Sequence, residues 1–100
     1  MDESISDAVR LPAHCSTASA DETLRALLDR QRQDAPVTID ASAVTSIGQA
    51  VLQILVAGQI DCQRRKRAFV ILDPSPAFVA AARTSRFDGR FDIHLDLVRE

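Results

Sequence analysis

The 100-residue sequence predicts a single α/β domain with a mostly parallel sheet. Short apolar segments rich in β-forming residues alternate along the chain with segments in which apolar residues recur at helical spacing. Parallel strands need long crossover connections, which are usually helical, so this alternation favours βαβ units. The length matches one domain and leaves no room for a second core. Residues 1–6 are polar, and we expect them to be frayed.

The predicted strands are short apolar or alternating segments bounded by turn-forming residues. Those at 8–11 and 14–17 flank Pro12, which favours edge positions because proline has no N–H to donate. The segment 37–41 alternates and is rich in β-branched residues, as in a central strand. The continuous apolar run 68–72 is typical of a strand buried on both faces. The chain closes on 91–98, whose alternation predicts a strand with one solvated face.

Three helices are predicted between these strands, at about 20–33, 47–64 and 76–86. Their predicted N-caps are Ser19, Ser46 and Ser75. The first two caps are followed three residues later by Glu22 and Gln49, which is the spacing of a capping box. Pro76 stands at the first helical position, where its missing N–H is not needed.

Composition argues against several classes of function. The formal net charge is −2 and the pI is about 5.6, so no overall positive field attracts nucleic acid. The sequence has no Trp or Tyr and only four Phe, which argues against an aromatic surface for base stacking. It contains no Gly-rich phosphate loop, no GxSxG elbow and no HExxH motif. We therefore expect a protein that is not an enzyme and that uses no cofactor or metal.

The sequence also predicts a cytoplasmic protein. No apolar run approaches the roughly 18 residues that a membrane span needs. The first residues are acidic and lack the apolar region of a signal peptide. Cys15 and Cys62 occur in no CxxC arrangement, and we expect both to be reduced, Cys62 as a small apolar core residue. A Cys–His dyad with His14 and a metal site at His94 are the less favoured alternatives.

The second predicted helix carries the main functional signal. At about 100° per residue, one side gathers apolar residues that must face the sheet: Ile47, Val51, Ile54, Leu55, Gly58 and Cys62. The opposite side has Gln49, Gln53, Val56 and Ile60, without the charges that a solvated helix face normally carries. Uncharged, partly apolar surfaces are typical of protein contacts. Coverage by the third helix or by the C-terminal segment is the alternative.

The strand end and helix start beside this face form the kind of corner where α/β proteins bind ligands or partners. Free N–H groups and the helix dipole there favour an anion or a phosphate. From residue types alone we favour the structural explanation, an ordinary capped crossover helix, because capped helices are common. The basic run 64–67 follows the same helix, and cations at a helix end complement its dipole. We favour that structural role over contact with nucleic acid or with an acidic patch.

The segment from Ile39 to Leu52, IDASAVTSIGQAVL, resembles the STAS domain, a family named for sulphate transporters and anti-sigma factor antagonists. The shared pattern is an apolar strand, Asp-Ala-Ser, a small apolar link and then a helix with a leucine-rich run. The order of elements agrees over nearly the whole chain. The resemblance implies a mixed, mostly parallel sheet of four to five strands with helices packed on one side. It also implies docking onto a regulatory kinase through the start of the second helix.

The chain departs from the family pattern at the phosphorylated position. The family's helix usually starts Asp-Ser-Ser-Gly or Asp-Thr-Ser-Gly, and Gly48, Gln49, Ala50 and Val51 stand in those places. Ala50 has no hydroxyl, so the usual phosphorylation switch is predicted to be absent. The predicted partner-binding residues are Ser46, Gly48, Gln49, Ala50, Gln53, Val56 and Ile60.

The Ile-Gly opening of this helix is similar to single-domain bacterial STAS proteins associated with chemotaxis kinases. That similarity implies a histidine kinase or a response regulator as partner. Two alternatives remain open. One is an anti-anti-sigma-type switch, in which an anti-sigma-type kinase phosphorylates a displaced hydroxyl at Ser46, Thr45 or Ser42. The other is an accessory subunit of a lipid-transporting ABC complex.

Overall fold

The computed structural model describes residues 8–84, which form five short strands and three helices. The strands are β1 (Val9–Arg10), β2 (His14–Cys15), β3 (Val37–Asp40), β4 (Ser46–Ile47) and β5 (Phe69–Leu72). The helices are α1 (Thr17–Arg32), α2 (Gln49–Arg65) and α3 (Pro76–Thr84). The predicted final strand at 91–98, His94, the predicted frayed residues 1–6 and the last two residues of the third predicted helix lie outside the described residues.

The strands form two parallel sheets. β3 lies between β1 and β5, with Val9 opposite Ile39 and Val37 opposite Phe69, while β2 pairs with β4. The predicted α/β class with parallel strands is therefore confirmed, although the described strands divide three and two between separate sheets. The division has a local cause. The Leu11 N–H still donates to the Asp40 carbonyl, but Pro12 has no N–H to continue the pairing.

Helix α1 begins earlier than the sequence predicts. Its N-cap is Ser16, where the backbone is extended, and the Ser16 N–H donates to Ser19 Oγ at 2.7 Å. The prediction that Ser19 caps the helix is wrong, because Ser19 lies at the third helical position. Strand β2 ends at Cys15, so the chain already has the extended conformation that an N-cap requires at the next residue.

Helix α2 begins later than predicted. The proposed cap Ser46 and the residue after it form β4, which pairs with β2. Gly48 is the N-cap instead, and its N–H donates to the Cys15 carbonyl at 2.8 Å. The Ser46–Gln49 capping box is therefore wrong, because strand pairing uses the backbone that the cap would need.

Helix α3 begins as predicted, with Pro76 at its first position. Ser75 Oγ accepts a hydrogen bond from the Phe78 N–H at 3.1 Å and donates one to the Val44 carbonyl at 2.6 Å. Ser75 is itself buried. One hydroxyl therefore caps α3 and ties it to the loop that leads into β4.

Within residues 8–84, a buried hydrophobic cluster joins the three-stranded sheet to the helices. Its most enclosed side chains are Phe78, Ile39, Leu55, Ile71, Val44, Val51 and Cys62. Cys15 and Cys62 are both buried free thiols, and burial raises the pKa of each. Ile71 alone of β5 is fully buried, so the prediction that this strand is enclosed along both faces is wrong.

Helices α1 and α2 pack directly against each other. A Cβ atom at Gly58 would lie 3.0 Å from Leu27 Cδ1, so the glycine lets the helices approach closely. Two arginines of the basic run 64–67 form ion pairs that connect the C-terminal end of α2 to the residues that follow α1. Arg65 binds Asp61 at 2.9 Å and Asp34 at 3.0 Å, and Arg67 binds Asp34 at 2.7 Å. Hydrogen bonds from Arg67 and Arg65 lower the pKa of Asp34.

Candidate docking surface at the start of helix α2

Asp40 ends β3 and organises the turn that follows. Its Oδ1 accepts hydrogen bonds from the Ser42 N–H at 3.0 Å and from Ser42 Oγ at 2.7 Å. Arg10 Nε lies 3.9 Å from Oδ2. Partial burial alone would raise the pKa of Asp40, but the Ser42 hydrogen bonds and Arg10 outweigh it and lower the pKa. The Ser42 hydroxyl is therefore committed to a structural turn.

Three exposed polar side chains meet beside the start of α2. His14 Nδ1 lies 3.1 Å from Ser46 Oγ and 3.4 Å from Thr45 Oγ1. Thr45 Oγ1 also donates to the Ala13 carbonyl at 2.9 Å. The parallel pairing of β2 with β4 brings His14 and Ser46 together, since they are register partners. The sequence did not predict this contact, because it depends on a pairing between two-residue strands.

The outer side of α2 carries an exposed, uncharged surface. We call Gly48, Gln49, Gln53, Ala57 and Ile60 the α2 ridge, and all five are exposed. Between Gly48 and Ile60 the helix has no Asp, Glu, Lys or Arg. The structure thus exposes four residues of the predicted partner-binding set at this helix: Gly48, Gln49, Gln53 and Ile60. Ala57 is a further member that the sequence did not single out.

The prediction that Val56 lies on this exposed face is wrong. Its side chain is 6% exposed and belongs to the buried cluster. Leu52 and Gln59 are buried as well, so the buried arc of α2 is wider than helical spacing alone predicts. Conversely, Ile54 and Gly58, which were predicted to face the sheet, are only half-buried. The helix is rotated relative to the prediction.

Ala50, the residue at the phosphoacceptor position, is half-buried and packs against the core. It faces α1 and forms part of the wall of a groove between the two helices. Ser46, by contrast, is exposed on β4. Of the predicted contact residues, Gly48, Gln49, Gln53 and Ile60 therefore lie on the α2 ridge. Ala50 lines the groove, Ser46 lies on the adjacent β4, and Val56 lies in the core.

The groove between α1 and α2 encloses a volume of about 500 Å³. We call it the α1–α2 groove. Leu24 and Leu28 are 41% and 44% exposed along its α1 wall. The remaining lining residues are Leu27, Gln31, Val37, Ala50, Gln53, Ile54, Ala57, Gly58, Asp61 and Arg65. The helical spacing of Leu24, Leu27 and Leu28 predicts a helix, but it does not predict which of them stay exposed.

The family described as "Mlab, STAS domain" matches residues 3–99 of the chain. The chain belongs to this STAS family. The resemblance seen in the strand–loop–helix segment is thus confirmed, and with it a module of the general signalling, anti-sigma-antagonist type. STAS domains generally mediate interactions between proteins. Neither the search of curated proteins nor that of solved structures returned a match.

Among residues 8–84, no helix has both the length and the apolar character needed to cross a membrane. The same part of the chain has no group of three or more His, Cys, Asp or Glu side chains that could hold a metal ion.

Proposed function

We propose that this STAS domain is a non-catalytic cytoplasmic module that docks onto a protein partner through the α2 ridge and the adjacent Ser46. The observation that carries the proposal is the exposure of Gln49, Gln53 and Ile60 on a helix face without charged side chains. Glutamine side chains both donate and accept hydrogen bonds, and the aliphatic residue adds apolar contact. Such a face is less costly to desolvate than a charged one.

The start of α2 strengthens the proposal. The first N–H groups of a helix have no partner within the helix, and the positive end of the dipole lies there. The Gly48 N–H already donates to the Cys15 carbonyl, so a partner carbonyl or carboxylate would bind the N–H groups of the first turn that begins at Gln49. Val56 is excluded from the contact because it is buried in the domain itself.

We further propose a histidine kinase, or a response regulator of the same system, as the partner in a bacterial chemotaxis-like pathway. Support comes from the similarity of the Ile47-Gly48 opening to chemotaxis-associated STAS proteins. Ala50 cannot accept a phosphate, so docking at this helix would not be switched at that position. The lipid-transporting ABC complex is the competing assignment, and the identity of the co-purifying protein decides between them.

Gln53→Arg should weaken partner binding about tenfold, which corresponds to about 1.4 kcal/mol. The substitution places a guanidinium at the centre of the α2 ridge, and this charge would lose its hydration when the partner binds. Affinity capture from the native extract with identification by mass spectrometry supplies the partner, and titration of the purified pair supplies the affinity. Gln63→Arg is the matched control, since Gln63 is exposed on the same helix but outside the ridge. Equal affinities of the two variants would contradict the proposed surface.

A phosphorylated switch at a displaced hydroxyl is the second candidate, and the structure favours Ser46 as its site. Ser42 Oγ and Thr45 Oγ1 each donate to an acceptor in the local fold, whereas Ser46 Oγ lies beside the His14 ring. Incubation with the cognate kinase should then add one phosphate to the intact mass, and Ser46→Ala should abolish the addition. An unchanged mass of the wild-type protein excludes this candidate.

A further inference from the structure

We propose that this domain forms a symmetric homodimer in which the α1 helices of two copies pack antiparallel along the α1–α2 groove. The inference goes beyond the docking function, because it assigns a second copy of this chain to a surface centred on α1. It rests on an exposed apolar stripe and on charges of α1 that complement themselves only in the antiparallel orientation.

The apolar stripe consists of Leu24 and Leu28, one helical turn apart on α1. Both leucines are more than two-fifths exposed, beside a groove whose floor and far wall are mainly apolar. Asp21, Leu24, Leu28 and Gln31 recur at spacings of three and four residues, which places them along one side of the helix. This is the spacing of a helix that packs lengthwise against another helix.

The charges beside the stripe determine the orientation. Asp21 lies in the first half of α1 and Arg32 is its last residue, and both are exposed. In a parallel pair each residue would face its own copy, so like charges would meet. In an antiparallel pair centred between residues 26 and 27, Asp21 faces Arg32 of the second copy. The twofold axis then repeats this ion pair at the other end, about 17 Å away at 1.5 Å per residue.

Antiparallel packing also sets the two helix dipoles in opposite directions, which is favourable. Leu28 of each copy then lies over the groove of the other, beside Leu24. Gln53 and Ala57 belong to both the groove and the α2 ridge, whereas the stripe belongs to α1 alone.

Leu28→Glu tests the apolar part of the interface. Sedimentation equilibrium of the wild-type full chain, at concentrations up to about 1 mM, should show a dimer. The dissociation constant of the dimer should be about tenfold higher for the Leu28→Glu variant. Ile60→Glu is the matched control, because this exposed apolar residue lies on α2 outside the groove, and it should dimerise as the wild type does. If the wild-type protein stays monomeric over this concentration range, the proposal is overturned. The occupant of the groove would then be another protein or an apolar small molecule.

Charge reversal tests the orientation separately. Asp21→Arg and Arg32→Asp should each weaken dimerisation, because each places like charges opposite one another twice. The double variant should restore it, since the two ends merely exchange sign. Failure of the double variant to recover affinity overturns the antiparallel register. Thermal unfolding of each monomer is measured in parallel. If the wild type is monomeric and the Leu28→Glu variant unfolds at a lower temperature than the wild type, part of the same chain covers the groove. That result excludes the dimer.

Discussion

Replacing Val56 with glutamate should destabilise the fold by more than about 3 kcal/mol. The side chain lies in the same buried cluster as Val44, Leu52 and Phe78 and is almost wholly removed from solvent. A carboxylate there loses its hydration without gaining a cation, and the packing of the valine is lost as well. Domains of this size are stable by only about 5–15 kcal/mol, so the variant should approach the unfolding threshold.

Urea unfolding followed by circular dichroism measures the effect, and Ile60→Glu provides the comparison. Ile60 lies one turn further along α2 and is 37% exposed, so its carboxylate stays hydrated. We expect its free energy of unfolding to remain within about 0.5 kcal/mol of the wild type. Similar losses in the two variants would mean that the buried arc of α2 does not include Val56.

This contrast shows what the sequence could determine about the site. Helical spacing fixes the angle of each side chain relative to its neighbours, and it correctly placed Gln49, Gln53 and Ile60 together on an exposed face. It does not fix how wide the buried arc is, because that depends on the elements that pack on either flank. Val56 was therefore assigned to the wrong side, although its angle relative to Gln53 was correct.

The helix starts follow the same pattern. Ser75 was correctly predicted as a cap, because Pro76 favours the first helical position and disfavours a helical conformation of the residue before it. Ser46 was wrongly predicted as a cap because its backbone pairs with His14, and a pairing between two-residue strands leaves no periodic signal in the sequence. The division of the strands into two sheets was missed for the same reason.

The α1–α2 groove illustrates a different limit. Three leucines at 24, 27 and 28 predict a helix, and only Leu27 is buried. Which of them faces the core depends on the position of α2, which is set by Gly58 and the close approach that it allows. The family match over residues 3–99 could be anticipated from the Ile39–Leu52 segment, because that segment combines a strand, a turn and a helix start in one continuous pattern.

Ser75→Ala should lower the free energy of unfolding by about 2 kcal/mol. The substitution removes the hydrogen bond that caps α3 at the Phe78 N–H. It also leaves the carbonyl of the buried Val44 without its donor. A buried carbonyl without a hydrogen bond destabilises the folded state, because its lost hydration is not replaced. Since this carbonyl lies in the loop that leads into β4, hydrogen exchange should also accelerate at the amides of Thr45 and Ser46.

Ser42→Ala is the matched control for this prediction. Ser42 also donates from its hydroxyl, to Asp40 at 2.7 Å, but the residue is exposed and water can replace the lost donor. We expect a change within about 0.5 kcal/mol in urea unfolding. Equal losses for the two alanine variants would show that the burial of Ser75 adds nothing to its hydrogen bonds. A larger loss for Ser75 alone, with faster exchange at Thr45, would establish that α3 stabilises the loop beside the docking surface.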